Sequence, residues 1–184
     1  MTDEQLIEKM LEREMIFEGR VITVHHDKAL LPDGSTAMRE IVAHPGGVCV
    51  AALTDDEELL FVRQFRYPYM EIVTELPAGK LERGEDPLKA GIRELSEETG
   101  ASAQSVTSLG KLYPTPGYCG EIIHMYLATG LTFGEQHTDS DEVLDVLRIP
   151  LAKAVDMVMA GELPDSKTQT AVLKVARMKE QGLL

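Results

Sequence analysis

The stretch DPLKAGIRELSEETG, at residues 86–100, constrains the chain more than any other feature, because it contains an acidic helix together with the signals for its start and its end. Asp86 followed by Pro87 is typical of a helix start, because the aspartate can accept bonds from free backbone N–H groups and proline is tolerated in the first turn. Gly100 favours the left-handed conformation that commonly ends a helix. We therefore predict a helix from about residue 87 to residue 99.

The predicted helix has one side that should pack and another that should carry charge. At roughly 100° per residue, four residues fall on the side predicted to pack: Leu88, Ile92, Leu95 and Thr99. Glu94, Glu97 and Glu98 lie nearly opposite. Like charges at this spacing destabilise a helix by only about 0.2–0.5 kcal/mol per pair. A solvated acidic surface would show the same cluster, so its function has to be judged from the surrounding residues.

Composition bounds the size of the core and the class of ligand. With 184 residues, of which 43% are hydrophobic, the chain can bury one sizeable core. Its formal net charge of −13 argues against binding to nucleic acid or to an anionic membrane, since both need clustered basic side chains. A phosphorylated ligand would then be met locally, through a bound cation.

The cysteines and the N-terminus bear on the compartment. Cys49 and Cys119 are the only two cysteines, which is too few for a disulfide framework or a four-thiolate zinc site. The first residues, MTDEQLIEKMLEREM, lack the apolar core of a signal peptide, and no later run is long enough to span a membrane. We therefore expect a cytoplasmic protein.

Residues 1–45 are predicted to form an N-terminal arm. Apolar side chains at helical spacing in residues 3–13 predict a short helix or an ordered lead-in. The strand-like runs 15–31 and 35–43 are joined by the turn sequence Pro-Asp-Gly at 32–34, which predicts a β-hairpin.

Residues 46–184 are predicted to form the main domain. Two apolar runs, VCVAALT and ELLFVRQF, are separated by the acidic residues 55–57 and predict a second hairpin. Further strands are expected on both sides of the acidic helix, followed by helices at about 151–160 and 166–181. This order of elements predicts an α+β fold in which helices cover a mixed β-sheet.

The residues around the acidic helix follow a long fixed pattern. The matching positions are Gly79, Glu85, Arg93, Glu94, Leu95, Glu97, Glu98 and Gly100. This pattern is the Nudix box, so the chain resembles the Nudix hydrolase family. The last aliphatic position departs from the pattern, because the small residue Ala101 occupies it, which should affect packing rather than the ligand set. Within the resemblance, Arg93 and Glu85 are expected to pair and to hold the preceding loop to the helix.

The resemblance implies a metal-dependent hydrolase with the Nudix-type α/β/α sandwich. Glu94 and Glu98 are then the main metal ligands, Glu97 binds metal or orients the catalytic water, and the Ala78 carbonyl adds a ligand. Mg²⁺ is the expected ion, with Mn²⁺ or another divalent cation as alternatives, because hard cations prefer oxygen ligands.

The acidic loop HTDSDEV, at 137–143, is expected to supply a further carboxylate. Related enzymes carry a glutamate in such a loop that binds metal or acts as the general base. Glu142 fits this place best, while Asp139 and Asp141 remain alternatives.

Segments outside the box resemble the ADP-ribose pyrophosphatase branch of the family. They are QFRYPY before the box, ELPAGKLE at its start and YPTPGYCGEIIH after it. The proline that this branch carries beyond the box is Pro116. The resemblance also places Arg39 and Arg66 near the substrate, where a guanidinium suits a diphosphate or an adenine. Glu121 is a candidate for binding the ribose hydroxyls.

The resemblance implies hydrolysis of ADP-ribose to AMP and ribose 5-phosphate. It also implies a homodimer in which the N-terminal arms cross to the partner. Two alternatives stay open: a pyrophosphatase for another nucleotide sugar, such as GDP-mannose or ADP-glucose, and a non-catalytic Nudix domain that senses ADP-ribose.

Overall fold

The chain folds into two compact units. The computed structural model describes residues 2–138 and 143–184. The units consist of Met1–Gly46 with Tyr113–Ile122, and of Gly47–Leu112 with Ile123–Leu184. In the part of the chain that is described, no helix is both long enough and apolar enough to cross a membrane.

The first unit is built on a three-stranded antiparallel sheet. Its strands are β1 Lys9–Glu18, β2 Thr23–Leu30 and β3 Thr36–Ala43, in the spatial order β1-β2-β3. The predicted hairpin between β2 and β3 is confirmed. Leu31 N donates to Ser35 O at 2.9 Å, and Gly34 has a φ of +87°, a conformation that favours glycine.

Of the two alternatives predicted for residues 3–13, a short helix or an ordered lead-in, the helix is wrong. Only Asp3–Gln5 is helical, as a single 3-10 turn, and the residues from Lys9 onward pair with β2 along the whole of β1. A tight turn, in which Gly19 N donates to Ile22 O at 2.9 Å, divides the predicted run 15–31 into two strands. The apolar spacing near the N-terminus covers too few turns to nucleate a helix, so the ladder of backbone hydrogen bonds prevails.

The second unit contains seven strands and three helices among its described residues. The strands are β4 Gly47–Ala52, β5 Glu58–Arg66, β6 Glu71–Glu75, β7 Ala78–Lys80, β8 Ala101–Leu112, β9 Ile123–Phe133 and β10 Leu144–Pro150. The helices are α1 Pro87–Thr99, α2 Leu151–Met159 and α3 Ser166–Glu180. One sheet has the order β7-β4-β9-β8 and the other the order β10-β5-β6. The first of these sheets is mixed, because β4 and β9 are parallel while its other pairs are antiparallel.

The prediction that β4 and β5 form a hairpin is wrong. The turn between them exists, since Thr54 N donates to Glu58 O at 2.9 Å and Leu53 bridges Leu59. Beyond this bridge the strands separate, and β4 pairs with β7 and β9 while β5 pairs with β10 and β6. Each strand is central in its own sheet, so its backbone groups are satisfied along both edges.

Alternate residues of β4 face two different cores, which makes its sheet the middle layer of a sandwich. Cys49 packs in a core with residues of α2 and α3, such as Ala154 and Val172. Val50 points the other way, into a core with residues of α1 such as Leu95. The predicted α+β fold, with helices on both sides of a mixed sheet, is confirmed.

Candidate active site

Helix α1 begins and ends where the sequence predicts. Asp86 accepts a hydrogen bond from Lys89 N at 3.0 Å, and Pro87 is the first helical residue. Gly100 has a φ of +69°, and its N–H donates to Ser96 O at 2.9 Å. These caps place the three glutamates of the helix in its last two turns.

The helix packs on a different face from the one predicted. Glu94 and Glu98 are only 8% and 2% exposed, whereas Leu88 and Ile92 are 39% and 46% exposed. The expectation that these two apolar residues face the core is therefore wrong. Two of the three glutamates are turned toward the interior instead.

A residue without a side chain decides which face of α1 packs. Gly91 lies against Tyr126 and Val50, and an added Cβ would approach a ring carbon of Tyr126 to 3.2 Å. Because nothing projects from the helix at this point, its backbone lies close to the sheet. The glycine in the middle of a helix was the sequence signal for this close approach.

Gly79 makes room for the carboxylate of Glu94. A Cβ built on Gly79 would overlap the carboxyl group of Glu94, so no other residue type fits without a shift. The neighbouring Ala78 N donates to Glu98 Oε2 at 2.9 Å. The short strand β7 therefore contacts both buried carboxylates.

Arg93 ties the loop before the helix to its acidic side. Its Nε and Nη2 donate to Glu85 at 3.0 and 3.2 Å, which confirms the expected structural pair. Its Nη1 lies 2.7 Å from Glu97 and 2.9 Å from Glu94. The hydrogen bond from Arg93, helped by the Glu82 N–H, holds the pKa of Glu85 below its ordinary value. The same hydrogen bond raises the pKa of Arg93, which stays charged.

The donor atoms at this end of α1 suit a hard divalent cation. The carboxylates of Glu94, Glu97 and Glu98 lie on successive turns, and the backbone of Ala78 contacts one of them. Oxygen ligands of this kind are those that Mg²⁺ and similar ions prefer. In the described part of the chain, no three His, Cys, Asp or Glu side chains are already grouped as a metal site.

The acidic loop follows a segment that is held against the end of α1. Three predicted residues of this loop lie outside the described residues: Asp139, Asp141 and Glu142. Just before them, Gln136 Nε2 donates to Glu98 O at 2.7 Å and His137 N donates to Glu97 O at 3.0 Å. The residues just before the acidic loop are therefore hydrogen-bonded to the backbone of Glu97 and Glu98.

Arg66 belongs to a cluster of charges that sequence reasoning missed. Glu75, at the end of β6, accepts hydrogen bonds from Arg66 Nε at 2.6 Å and from Nη2 at 2.8 Å. Lys167, in the first turn of α3, donates to the same carboxylate and lies 3.0 Å from Asp165. Both Glu75 and Lys167 are buried. The sequence signal was the glutamate inside the apolar stretch EIVTEL, since a buried carboxylate requires a partner.

The segment that contains this site matches a known protein family. The sequence model of the NUDIX domain family matches residues 43–169 of this chain. The chain belongs to the NUDIX domain family. The relatives of this Nudix protein include an ADP-ribose pyrophosphatase of Bacillus subtilis (strain 168), 41% identical over 169 residues that cover 91% of each chain. A methanol dehydrogenase activator of Bacillus methanolicus is 42% identical over 167 residues, or 90% of each chain.

A solved structure agrees with the Nudix fold. A crystal structure of an ADP compounds hydrolase superposes with a TM-score of 0.83, covering 96% of this chain and 97% of that chain. At 24% sequence identity, this likeness bears on the fold alone. The family and the fold expected from the Nudix box are thus confirmed. Nudix hydrolases generally depend on a divalent metal ion.

Three residues that the Nudix resemblance assigns to the substrate lie in the first unit. Arg39 donates to Glu8 through Nε at 3.0 Å and Nη2 at 2.7 Å. Glu121 Oε1 lies 3.6 Å from His44 Nδ1. Pro116 begins an exposed turn. Their roles in substrate binding stay predictions.

Proposed function

We propose that this chain cleaves the diphosphate of ADP-ribose, giving AMP and ribose 5-phosphate. The observation that carries this proposal is the pair of buried glutamates, Glu94 and Glu98, beside the backbone of Ala78 and Gly79. Carboxylate oxygens are the ligands that a hard divalent cation prefers. The 41% identity to an ADP-ribose pyrophosphatase supports the choice of substrate.

The proposed ion is Mg²⁺, with Mn²⁺ or another divalent cation as alternatives. Glu94, Glu98 and the Ala78 carbonyl would hold it, and Glu97 would be a further ligand or would orient the attacking water. Such an ion, when bound, neutralises the diphosphate and lowers the pKa of the attacking water. Glu142 is the proposed additional ligand or general base.

The chain's own contacts prepare the carboxylates for this task. Arg93 lies within ion-pair distance of both Glu94 and Glu97, so it offsets the repulsion between them. The Ala78 N–H holds one oxygen of Glu98. These contacts hold the carboxylates at one end of α1, although among the described residues they do not bring three of them together as a formed metal site.

Arg66 is the proposed diphosphate contact in the second unit. Its two bonds to Glu75 use Nε and Nη2, so Glu75 does not engage the Nη1 edge. A guanidinium that is fixed along one edge can offer the other edge to a phosphate oxygen. We propose Arg39, Pro116 and Glu121 as further substrate contacts, on the basis of the family resemblance.

We further propose a cytoplasmic homodimer in which residues 1–45 form the dimerising arm. Strand β1 is exposed along its whole length. It carries five exposed apolar side chains that a second copy could cover: Met10, Leu11, Met15, Ile16 and Phe17. Both cysteines are free thiols, which suits a reducing compartment.

The proposed activity can be tested by incubating the purified protein with Mg²⁺ and a panel of nucleotides, and by identifying the products with mass spectrometry. The panel contains ADP-ribose, ADP-glucose, GDP-mannose, NADH and 8-oxo-dGTP. We expect AMP and ribose 5-phosphate to form fastest from ADP-ribose. Glu98→Gln, which keeps the shape of the side chain, should abolish cleavage, whereas Glu162→Gln at an exposed position should not.

The same panel separates the alternatives. Faster cleavage of GDP-mannose or ADP-glucose would replace ADP-ribose by another nucleotide sugar and keep the glutamate chemistry. Tight binding of ADP-ribose without cleavage, in the presence of Mg²⁺ or Mn²⁺, would make the chain a sensor. Chelation of the divalent ion should stop cleavage, and the ion that restores it fastest identifies the preferred metal.

The 42% identity to a methanol dehydrogenase activator favours a second candidate function, the activation of a dehydrogenase. Adding the purified chain to a purified methanol dehydrogenase tests this candidate. A rise in dehydrogenase rate that Glu98→Gln abolishes would tie the activation to hydrolysis. An unchanged rate would exclude activation of that enzyme.

A further inference from the structure

Four charged side chains join strands β5 and β6 to the start of helix α3, and the proposed hydrolysis uses only one of them. Arg66 and Lys167 share the carboxylate of Glu75, and Lys167 also pairs with Asp165. Two cations and two carboxylates make this charge cluster electrically neutral. Burial of Glu75 and Lys167 means that each depends on the others for its charge to be tolerated.

The start of α3 holds Glu75 firmly in place. Asp165 caps the helix by accepting a hydrogen bond from Thr168 N at 2.9 Å, and Thr168 Oγ1 accepts one from Leu76 N at 2.9 Å. Lys167 therefore lies in a capped helical turn. The next residue, Thr168, binds the backbone N–H of Leu76, which directly follows Glu75. The side chain and the following peptide of Glu75 are held from the same helical turn.

Lys167 stays charged in this setting. Burial lowers the pKa of its amine, but the carboxylates of Glu75 and Asp165 more than offset this, so the pKa lies above its ordinary value. Lys167 Nζ and Arg66 Nη2 contact the same oxygen of Glu75. The lysine thus fixes the oxygen that in turn fixes one nitrogen of the guanidinium.

We propose that Lys167 is a positioning residue for substrate binding, which fixes Glu75 so that the Nη1 edge of Arg66 is presented to a phosphate of the nucleotide. This inference rests on the proposed function, because it assigns the diphosphate to Arg66. Lys167 itself does not touch the substrate in this scheme. It acts through the Glu75 carboxylate.

The charges of the cluster explain why the lysine matters. Lys167 and Arg66 together neutralise the carboxylates of Glu75 and Asp165, so the Arg66 guanidinium can still attract an anion. Without it, Arg66 alone faces Glu75 and Asp165, and the cluster carries one net negative charge toward a diphosphate. In the absence of Lys167, the Glu75 side chain could also rotate, and the Arg66 guanidinium bound to it would move with it.

The test compares Lys167→Met with a control on the same helix. Lys174→Met removes the same charge from α3, but Lys174 Nζ contacts only the backbone carbonyl of Leu109 among the described residues. We expect Lys167→Met to raise KM for ADP-ribose roughly ten-fold with little change in kcat, as expected when binding is lost equally in the ground state and the transition state. Lys174→Met should leave both constants near those of the unmodified chain, and Lys167→Arg should recover much of the affinity.

A double-mutant cycle distinguishes positioning from a general loss of structure. If Lys167 acts through Arg66, Lys167→Met should add little to the effect of Arg66→Ala. The arginine side-chain resonances in a ¹H–¹⁵N spectrum provide a readout that needs no activity. The Arg66 Nε–H signal, identified by its loss in Arg66→Ala, should move or broaden in Lys167→Met and stay in place in Lys174→Met.

Two outcomes would overturn the proposal. They are full additivity of Lys167→Met and Arg66→Ala, and an unchanged Arg66 resonance together with an unchanged KM. Failure of the proposed function is a separate result. If another nucleotide sugar is cleaved, the cycle is measured with that substrate, and if ADP-ribose is bound without cleavage, dissociation constants replace KM. Absence of both binding and cleavage of every nucleotide would overturn both proposals.

Discussion

Gly79 and Gly91 shape the candidate site through the side chains that they lack. Gly91 lets α1 approach Tyr126, and this approach turns Glu94 and Glu98 toward the interior. Gly79 then leaves the volume that the Glu94 carboxylate occupies. The positions of the two carboxylates therefore depend on two glycines that carry no chemistry of their own.

Gly79→Ala should damage catalysis more than stability. The added methyl group would overlap the Glu94 carboxylate, so either the carboxylate or β7 must shift. A displacement on the order of 1 Å at a catalytic group can cost about a hundred-fold in rate, and we expect kcat/KM to fall by about that factor. The free energy of unfolding should fall by about 1 kcal/mol or less, because the atoms that the methyl group meets lie at the flexible end of the Glu94 side chain. Steady-state kinetics and urea unfolding measure the two effects.

Gly134→Ala is the matched control for this substitution. A Cβ at Gly134 would lie 3.7 Å from the nearest neighbour, the carbonyl oxygen of Gly100, which is an ordinary contact. We expect near-normal activity in this variant. Full activity of Gly79→Ala, or an equal loss in both variants, would contradict the role assigned to Gly79.

At the scale of an element, α1 combines local and tertiary control. Its ends follow from residues within a few positions of each cap, and Asp86 and Gly100 act as the sequence predicts. Its rotation about its own axis follows from the surface beneath it. The helical spacing of Leu88, Ile92 and Leu95 suggested one packing face, yet only Leu95 of these three is buried.

The observed face predicts unequal costs for two truncations in α1. Leu95→Ala should lower the free energy of unfolding by about 2–5 kcal/mol, because it removes a buried side chain from the core that contains Val50. Ile92→Ala should cost about 0.5 kcal/mol or less, because Ile92 is 46% exposed and is not part of the buried core. Urea unfolding of both variants provides the comparison. Equal costs would show that the helix packs on the face suggested by its apolar spacing.

At the scale of the whole molecule, the two units differ in how well they cover their apolar side chains. In the second unit, β4 is buried on both faces between α1 on one side and α2 and α3 on the other. In the first unit, β1 is exposed throughout although it carries several apolar residues. An exposed strand with several apolar side chains is a typical interaction surface, which supports the proposed homodimer.

Met15→Asp should disrupt the proposed homodimer. Met15 is an exposed methionine of β1, and a charged side chain in a dry interface would be costly. Sedimentation equilibrium should give twice the chain mass for the native protein and a single chain mass for the variant. Met159→Asp, which changes another exposed methionine on α2, should remain dimeric. A native chain that is monomeric at all concentrations would refute the dimer.

The sequence by itself determined the features that depend on near neighbours and on a long motif. Residues close together in the chain predicted the caps of α1 and the turn at 32–34, and both are confirmed. The family that the Nudix box indicated is also confirmed. The box also identified Glu94, Glu97 and Glu98 as candidate metal ligands.

Only the tertiary structure decided which surfaces meet. It placed β4 and β5 in different sheets despite the tight turn between them, turned Glu94 and Glu98 inward, and joined Arg66 to Glu75 and Lys167. Partners such as Glu75 and Lys167 lie far apart in the sequence, and their pairing depends on how whole elements pack. Local spacing can specify a helix, but its buried face and its ion pairs are set by the surface on which the helix rests.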